Sequence, residues 1–200
     1  MSRRFSRDHI EILHDYGLFV PTRTIVMDQG ALDEETDNTV NFSMANRLIK
    51  NLTILDSISK DDITIIVNTE GGDEYQGMAI YDAVRALKDT HVTIEIHGCA
   101  QSMGCIMLQA ADRRVLMPNA ALMFHTGSTS TGDYHPDEML AVANFNYRYG
   151  IEVCDRIIYN RLLEKNPKLS WKKFRQVAIS SRYMLADEAV AIGLADEVKR

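Results

Sequence analysis

Residues 62–112 read DITIIVNTEGGDEYQGMAIYDAVRALKDTHVTIEIHGCAQSMGCIMLQAAD, and this stretch decides the fold class. DITIIVNT is β-branched and apolar, which is typical of a buried strand, and HVTIEIHG further along has the same character. Each strand is followed by a turn and then by apolar residues at helical spacing, in MAIYDAVRALK and in SMGCIMLQAAD. A chain that alternates strands and helices in this way folds as an α/β protein, with its sheet buried under helices.

The same alternation continues on both sides of this stretch. We predict a strand over residues 22–30, a helix over 41–55, two short strands in VLMPNAALMFH, and in YMLADEAVAIGLADEVKR a short helix ended by Gly193 and a final strand. The residues CAQ, between HVTIEIHG and the next helix, are predicted to form a tight corner.

A single long helix is predicted over about residues 136–165. The segment has one glycine, Gly150, and its apolar residues roughly keep helical spacing. It exceeds the usual helix length of about 10–14 residues, so we expect it to project from the body. Its apolar residues would be poorly covered on a monomer, which indicates a contact between subunits.

Composition limits the classes of function. Apolar residues make up 46% of the chain and charged residues 25%, as in globular domains. We expect residues 1–21 to form an N-terminal segment and residues 22–200 a single domain. The net charge of −6 argues against a nucleic-acid partner, because surfaces that bind phosphate concentrate Lys and Arg.

The start of the chain does not resemble a targeting peptide. Although it is basic, Asp8 and Glu11 interrupt the apolar core that a signal sequence needs, so we expect a cytoplasmic protein without a membrane partner. The odd number of cysteines and the lack of CxxC spacing predict buried free thiols at Cys99, Cys105 and Cys154. We expect no metal site and no cofactor.

Ser102 is a candidate nucleophile. It lies where a predicted strand gives way to a helix, so its hydroxyl is expected at the first helical turn. Backbone N–H groups there lack partners within the helix and favour an oxyanion that forms beside the serine. The alternative is that Ser102 is only a helix cap.

His125 is the candidate general base, because it ends the predicted strand ALMFH beside a polar loop. A histidine there can take the proton from a serine, whose hydroxyl is hardly ionised at neutral pH. Gly71 and Gly72, at the end of another strand, allow backbone amides to approach a substrate closely, or they form only a turn. The other histidines are expected to be surface or packing residues.

These segments together resemble the ClpP family, the proteolytic subunit of the Clp protease. NTEGGDEYQGMAIYDAV is similar to the family's segment NSPGG-x₄-GM-x-IYD, GCAQSMGCIML to its nucleophile motif G-x-A-x-SMG, and LMPNAALMFH to its histidine segment LPN-x-x-x-M-x-H. YMLADEAVAIGLADEV resembles the family's closing segment. The resemblance covers nearly the whole chain.

The resemblance implies both the fold and the roles of the site residues. The fold would be a crotonase-like ββα spiral, with residues 136–165 as the protruding handle helix. Ser102 would be the nucleophile and His125 the base of a serine endopeptidase, and the amides of Gly72 and Met103 would form the oxyanion hole.

The resemblance also implies partners. Family members form heptameric rings that stack as a tetradecamer and enclose a proteolytic chamber. They receive unfolded polypeptides from a hexameric ATPase unfoldase, so ATP would bind that partner, and this sequence has no P-loop motif. Residues 1–21 would belong to the axial segment that contacts the unfoldase.

The chain departs from the family at the third catalytic residue. In the family an aspartate lies six residues before the aromatic residue that opens the closing segment, and counting back from Tyr183 that position holds Val177. The third group is therefore unknown. It could be neutral, with Ser180 and Ser181 as the nearest hydroxyls, or an acid from elsewhere in the chain or from a neighbouring subunit.

The segment after His125 also lacks the family's usual Gln-Pro, and such divergence is compatible with a phage-borne or accessory member. Two alternatives to an active peptidase follow from the sequence. One is a catalytically weak or silent ring subunit, against which the retention of Ser102 and His125 counts. The other is a crotonase-type acyl-CoA enzyme, whose acidic catalysts and CoA-binding loops are not recognisable.

Overall fold

A computed structural model describes residues 6–27, 39–127 and 135–200 of the chain. In chain order the elements are α1 (Arg7–Tyr16), β1 (Leu18–Phe19), a 3₁₀ turn (Val20–Thr22), β2 (Thr24–Val26), β3 (Thr39–Val40), α2 (Phe42–Ile58), β4 (Ile63–Thr69), β5 (Gly71–Gly72), α3 (Glu74–Ala86), β6 (Val92–Gln101) and α4 (Met103–Leu108). They continue with β7 (Arg113–Leu116), β8 (Ala121–Phe124), α5 (Pro136–Tyr149), a π-helical segment (Gly150–Asp155), α6 (Arg156–Lys165), α7 (Trp171–Ala178), β9 (Arg182–Leu185), α8 (Ala186–Ile192) and β10 (Glu197–Val198).

One sheet lies at the centre of the molecule, with the strand order β1-β2-β4-β6-β7-β10. Its neighbouring strands are parallel from β2 to β10, and β1 joins β2 antiparallel. A small separate sheet pairs β3 with β5. The predicted α/β alternation is therefore present in the described residues, and α2 matches the predicted helix, with Asn41 as its N-cap.

The sheet divides along β6. The first half of this strand pairs with β7, through Thr93–Ile96, whereas its last residues, Cys99–Gln101, pair in parallel with β8. The prediction of a tight corner at CAQ is therefore wrong, because hydrogen bonds to β8 keep these residues extended. β6 instead continues to Gln101 and leads directly to Ser102.

The core lies between this sheet and the helices that cover it. Buried and partly exposed side chains alternate along β4, where Ile63, Ile65 and Val67 point into the core. A completely buried side chain of this size contributes about 1.5–3 kcal/mol to the free energy of folding. Every residue of α4 is buried, so the helix that follows Ser102 is fixed by packing on all sides.

Residues 136–165 form one continuous helical stretch, as predicted, which we call the handle helix. Its second half is anchored in the core by Ile158 and Leu162. Its first half, α5, has no buried residue, and Leu140, Phe145 and Tyr147 are 65%, 51% and 63% exposed. An apolar surface therefore remains uncovered on the handle helix of the isolated chain.

The beginning of the chain is joined to the sheet. Leu18 is buried in β1, which pairs with β2, and α1 precedes it. The division of the chain at residue 21 stays a prediction. The helices α1 and α7 were not predicted. Within the described ranges, no helix combines the length and the apolarity that a membrane crossing would need.

Candidate active site

Ser102 occupies a sharp corner between β6 and α4. Its backbone has φ 50° and ψ −117°, a region that residues with a side chain rarely adopt and that costs of the order of 1–3 kcal/mol. The corner is held by the hydrogen bond that the Ser102 amide donates to the carbonyl of Met123, at 2.8 Å. The strand-to-helix corner predicted for Ser102 is present, and its hydroxyl does not cap the helix.

The structure brings Ser102 and His125 together. Ser102 Oγ lies 2.8 Å from His125 Nε2, and both side chains are partly buried. The register of the parallel strands explains this contact, because Gln101 on β6 is paired with Met123 on β8. The residues that follow these strands therefore emerge side by side at one edge of the sheet.

Burial sets the protonation state of His125. Removal of the imidazole from water lowers the pKa of His125 below its ordinary value of 6.5, because the charged form is penalised. The imidazole is therefore neutral at neutral pH. A neutral imidazole can accept a proton on Nε2, whereas an imidazolium cannot.

The residues considered for the third position do not bind His125. Within the described part of the chain, Nδ1 of His125 makes no hydrogen bond. Val177 instead lines a cavity of about 210 Å³ together with Phe124 and Phe174. The Ser180 hydroxyl donates to the carbonyl of Val177 at 3.1 Å. Neither Ser180 nor Ser181, the two hydroxyls considered from the sequence, therefore hydrogen-bonds to His125.

A buried ion pair holds the residue after His125. Arg175 on α7 donates to the carboxylate of Asp155, and the same nitrogen donates to Thr126 Oγ1 at 3.2 Å. The Thr126 amide donates to the carbonyl of Ala178 at 3.1 Å. The Asp155 carboxylate is thus paired with Arg175, and Arg175 in turn binds the residue that follows His125.

Sequence reasoning missed this network, although one signal was available. Asp155 precedes Ile158 by three residues and Leu162 by seven, so the three side chains lie on the same face of the handle helix. This face enters the core, and all three side chains are buried. A carboxylate at such a position needs a partner, because an unpaired buried charge is costly.

Gly71 lies against Ser102, whereas Gly72 lies against Thr39 and Val40 of β3. A Cβ atom built on Gly71 would be 2.7 Å from Ser102 Cβ and 3.0 Å from the Met103 amide nitrogen, so Gly71 touches the corner itself. Asp73 donates its amide to the carbonyl of Val40 on β3. Because successive N–H groups of an extended segment point to opposite sides, the Gly72 N–H is expected to point away from β3.

The cysteines take no part in this site. All three are free: Cys105 and Cys154 are buried as predicted, and Cys99 is only partly buried. Burial raises the pKa of each of the two buried thiols to about 12, so both are protonated at neutral pH. Among the described residues, no three His, Cys, Asp or Glu side chains are grouped in a way that could hold a metal ion.

Comparisons with known proteins identify relatives of this chain. A family model described as Clp protease matches residues 35–200. An ATP-dependent Clp protease proteolytic subunit from Deinococcus radiodurans is 31% identical over 162 residues, which cover 80% of this chain and 76% of that protein. One from Streptococcus pneumoniae is 32% identical over 164 residues and covers 80% of each.

A solved structure shares the fold. A mutant of ClpP1 from Listeria monocytogenes superposes with a TM-score of 0.72 at 24% sequence identity, over 90% of this chain and 93% of that chain. The predicted crotonase-like fold with a handle helix is confirmed. Because the family model covers residues 35–200 and the curated relatives align along 80% of the chain, the chain belongs to the Clp protease family.

Proposed function

We propose that this protein is a serine endopeptidase in which Ser102 is the nucleophile and His125 the general base. The observation that carries the proposal is the 2.8 Å contact between Ser102 Oγ and His125 Nε2 at a strained strand-to-helix corner. Membership of the Clp protease family supports peptidase chemistry over the acyl-CoA alternative. The chain is a Clp protease proteolytic subunit of the serine peptidase class.

The contact supports acyl transfer through a covalent intermediate. With the imidazole proton on Nδ1, Nε2 of His125 accepts the hydroxyl proton while Ser102 Oγ attacks the substrate carbonyl. The histidine then gives that proton to the leaving amine, and the acyl group remains on Ser102. Water, activated by the same imidazole, releases the acyl group and restores the hydroxyl.

The amides of Gly72 and Met103 would stabilise the oxyanion of each tetrahedral intermediate. Met103 is the first residue of α4, so its N–H has no acceptor within the helix and lies at the positive end of the helix dipole. Gly71 packs against this amide and brings the neighbouring Gly72 close to it. Removal of one such donor typically costs about 10²–10³ in kcat.

We expect turnover of a short peptide to be slow. A buried carboxylate on the imidazole N–H can be worth about 10⁴ in kcat, and no described acid bonds to Nδ1 of His125. An acid outside the described residues or from a neighbouring subunit would complete the triad. A fast wild-type enzyme would therefore indicate that one of these supplies the third group.

Membership of the Clp protease family implies an oligomeric ring that works with Clp ATPases. We propose heptameric rings, stacked in pairs through the handle helix, that enclose the sites and receive unfolded polypeptides. In this proposal the ATPase is a hexameric unfoldase contacted by residues 1–21, and the complex is cytoplasmic. The exposed Leu140 and Phe145 support a contact at the handle helix.

Replacing Leu140 and Phe145 together with glutamate is expected to separate the stacked rings and to reduce peptidase activity at least tenfold, because two charges would enter an apolar contact. Sedimentation velocity of wild type and variant, with peptide hydrolysis measured on the separated species, provides the test. Lys168→Glu, an exposed charge change outside the handle helix, is the control. A wild type that is fully active at the mass of one chain would contradict the proposed assembly.

The nucleophile can be identified directly in the wild-type protein. A fluorophosphonate probe is expected to form one adduct, and mass spectrometry of the digested protein should locate it on Ser102, whose Oγ is bonded to the base. An adduct on another serine would contradict the assignment. Absence of labelling in the assembled protein would support the silent-subunit alternative instead.

A further inference from the structure

A second acidic group lies beside the catalytic pair. Glu74 is the first residue of α3, two positions after Gly72, which contributes to the proposed oxyanion hole. Its Oε1 lies 3.0 Å from the position that a Cβ atom on Gly127 would occupy, and Gly127 is two positions after His125. The segments that leave the oxyanion hole and the general base therefore meet at the Glu74 carboxyl group.

The Glu74 carboxyl group has no partner within the described residues. The neighbouring acid Asp73 accepts a hydrogen bond from the Gln76 amide and caps α3, whereas Glu74 makes no hydrogen bond and no ion pair. No described Lys or Arg side chain pairs with it. The structure thus places a carboxyl group without a hydrogen-bond partner between the segments that follow Gly72 and His125.

Glu74 lies in a partly closed niche beside a second acid, Asp73. The position of a Cβ atom on Gly150, in the π-helical segment of the handle helix, is 3.7 Å from Glu74 Oε1, and Tyr149 and Cys154 lie near this carboxyl group. Burial raises the pKa of Glu74, and the nearby Asp73 adds to the effect. A cation that enters this niche would stabilise the carboxylate and would itself gain a charge-assisted hydrogen bond.

From this geometry we propose that Glu74 selects substrates with a basic side chain, Lys or Arg, at the residue that contributes the scissile carbonyl. The oxyanion amides hold that carbonyl, so the side chain of the same residue lies within reach of the first turn of α3. The inference rests on the proposed function, since it takes Ser102 as the nucleophile and Gly72 as an oxyanion donor. It adds a substrate class to that site.

The test compares fluorogenic peptides that differ at one side chain. Assembled wild type is given peptides with lysine, acetyl-lysine or leucine at the residue that contributes the scissile carbonyl. We expect kcat/KM for lysine to exceed that for acetyl-lysine about tenfold, as for a charge-assisted hydrogen bond in a partly buried site. Glu74→Gln should bring this ratio close to one, while Asp89→Asn, which removes an exposed charge three residues after the end of the same helix, should leave it unchanged.

A second variant separates selection from loss of folding. Glu74→Lys is expected to favour a glutamate peptide over its lysine counterpart, and a folded but non-selective protein would not show this inversion. Equal hydrolysis of lysine and acetyl-lysine peptides by wild type, or a lysine preference that persists in Glu74→Gln, would overturn the proposal. Failure of the proposed function looks different, because then no peptide is hydrolysed and the fluorophosphonate probe does not react.

Discussion

Replacing Ser102 with alanine is expected to remove peptide hydrolysis, with a fall in kcat of about 10² if the site is a Ser-His pair and of about 10⁶ if a third group completes the triad. The hydroxyl that bonds to His125 Nε2 is the atom that the proposed mechanism uses for attack, and no other described serine shares this contact. Only the weak catalysis by oxyanion amides and substrate binding would remain. Hydrolysis of a fluorogenic peptide measures the loss of turnover. Labelling by a fluorophosphonate probe separately measures the loss of the reactive hydroxyl.

The matched control for this variant is Ser180→Ala. Ser180 is exposed, and its hydroxyl donates to the carbonyl of Val177, so its loss is expected to leave both activity and labelling unchanged. Ring assembly has to be confirmed for each protein, because disassembly alone could remove activity. Labelling that persists in Ser102→Ala would show that the nucleophile is another residue.

Gly71→Ala is expected to have the second largest effect, a loss of at least about 100-fold in kcat/KM, since misplacement of reacting groups by about 1 Å can cost that much. Gly71 has φ 102°, which alanine adopts only with strain. An added Cβ atom would lie 2.7 Å from the Gln101 carbonyl oxygen and from Ser102 Cβ. Both neighbours belong to the catalytic corner, so the corner itself would have to move.

Gly193→Ala separates backbone strain from damage to the site. Gly193 also has a positive φ, 93°, at the end of α8, but its added Cβ atom would meet the flexible side chain of Lys165. We expect Gly193→Ala to lower the melting temperature while kcat/KM stays within about twofold, because its strain costs only about 1–3 kcal/mol of stability. If Gly71→Ala retained wild-type kcat/KM, Gly71 would not be needed for the geometry of the corner.

The sequence by itself determined the α/β alternation, apart from α1 and α7, and it singled out Ser102 and His125 as the candidate pair. Periodic burial is a local property, so the β-branched runs predicted β4 and β6, and helical spacing predicted the handle helix over residues 136–165. Ser102 was singled out at a strand-to-helix corner and His125 at the end of a strand, and the resemblance to the ClpP family implied their roles. Neighbouring parallel strands end at the same edge of the sheet, so the residues that follow them in the chain lie close together.

The tertiary structure decided what surrounds this pair. Residues 99–101 read locally as a corner, yet they are extended because β8 supplies their hydrogen-bond partners. The ion pair of Asp155 and Arg175 joins residues 20 positions apart in sequence, and the niche of Glu74 is built from α3, the loop after His125 and the handle helix. Such contacts depend on how distant elements pack, whereas sequence spacing constrains only residues within one element. The ion pair beside His125 and the residues around Glu74 were therefore visible only in the folded chain.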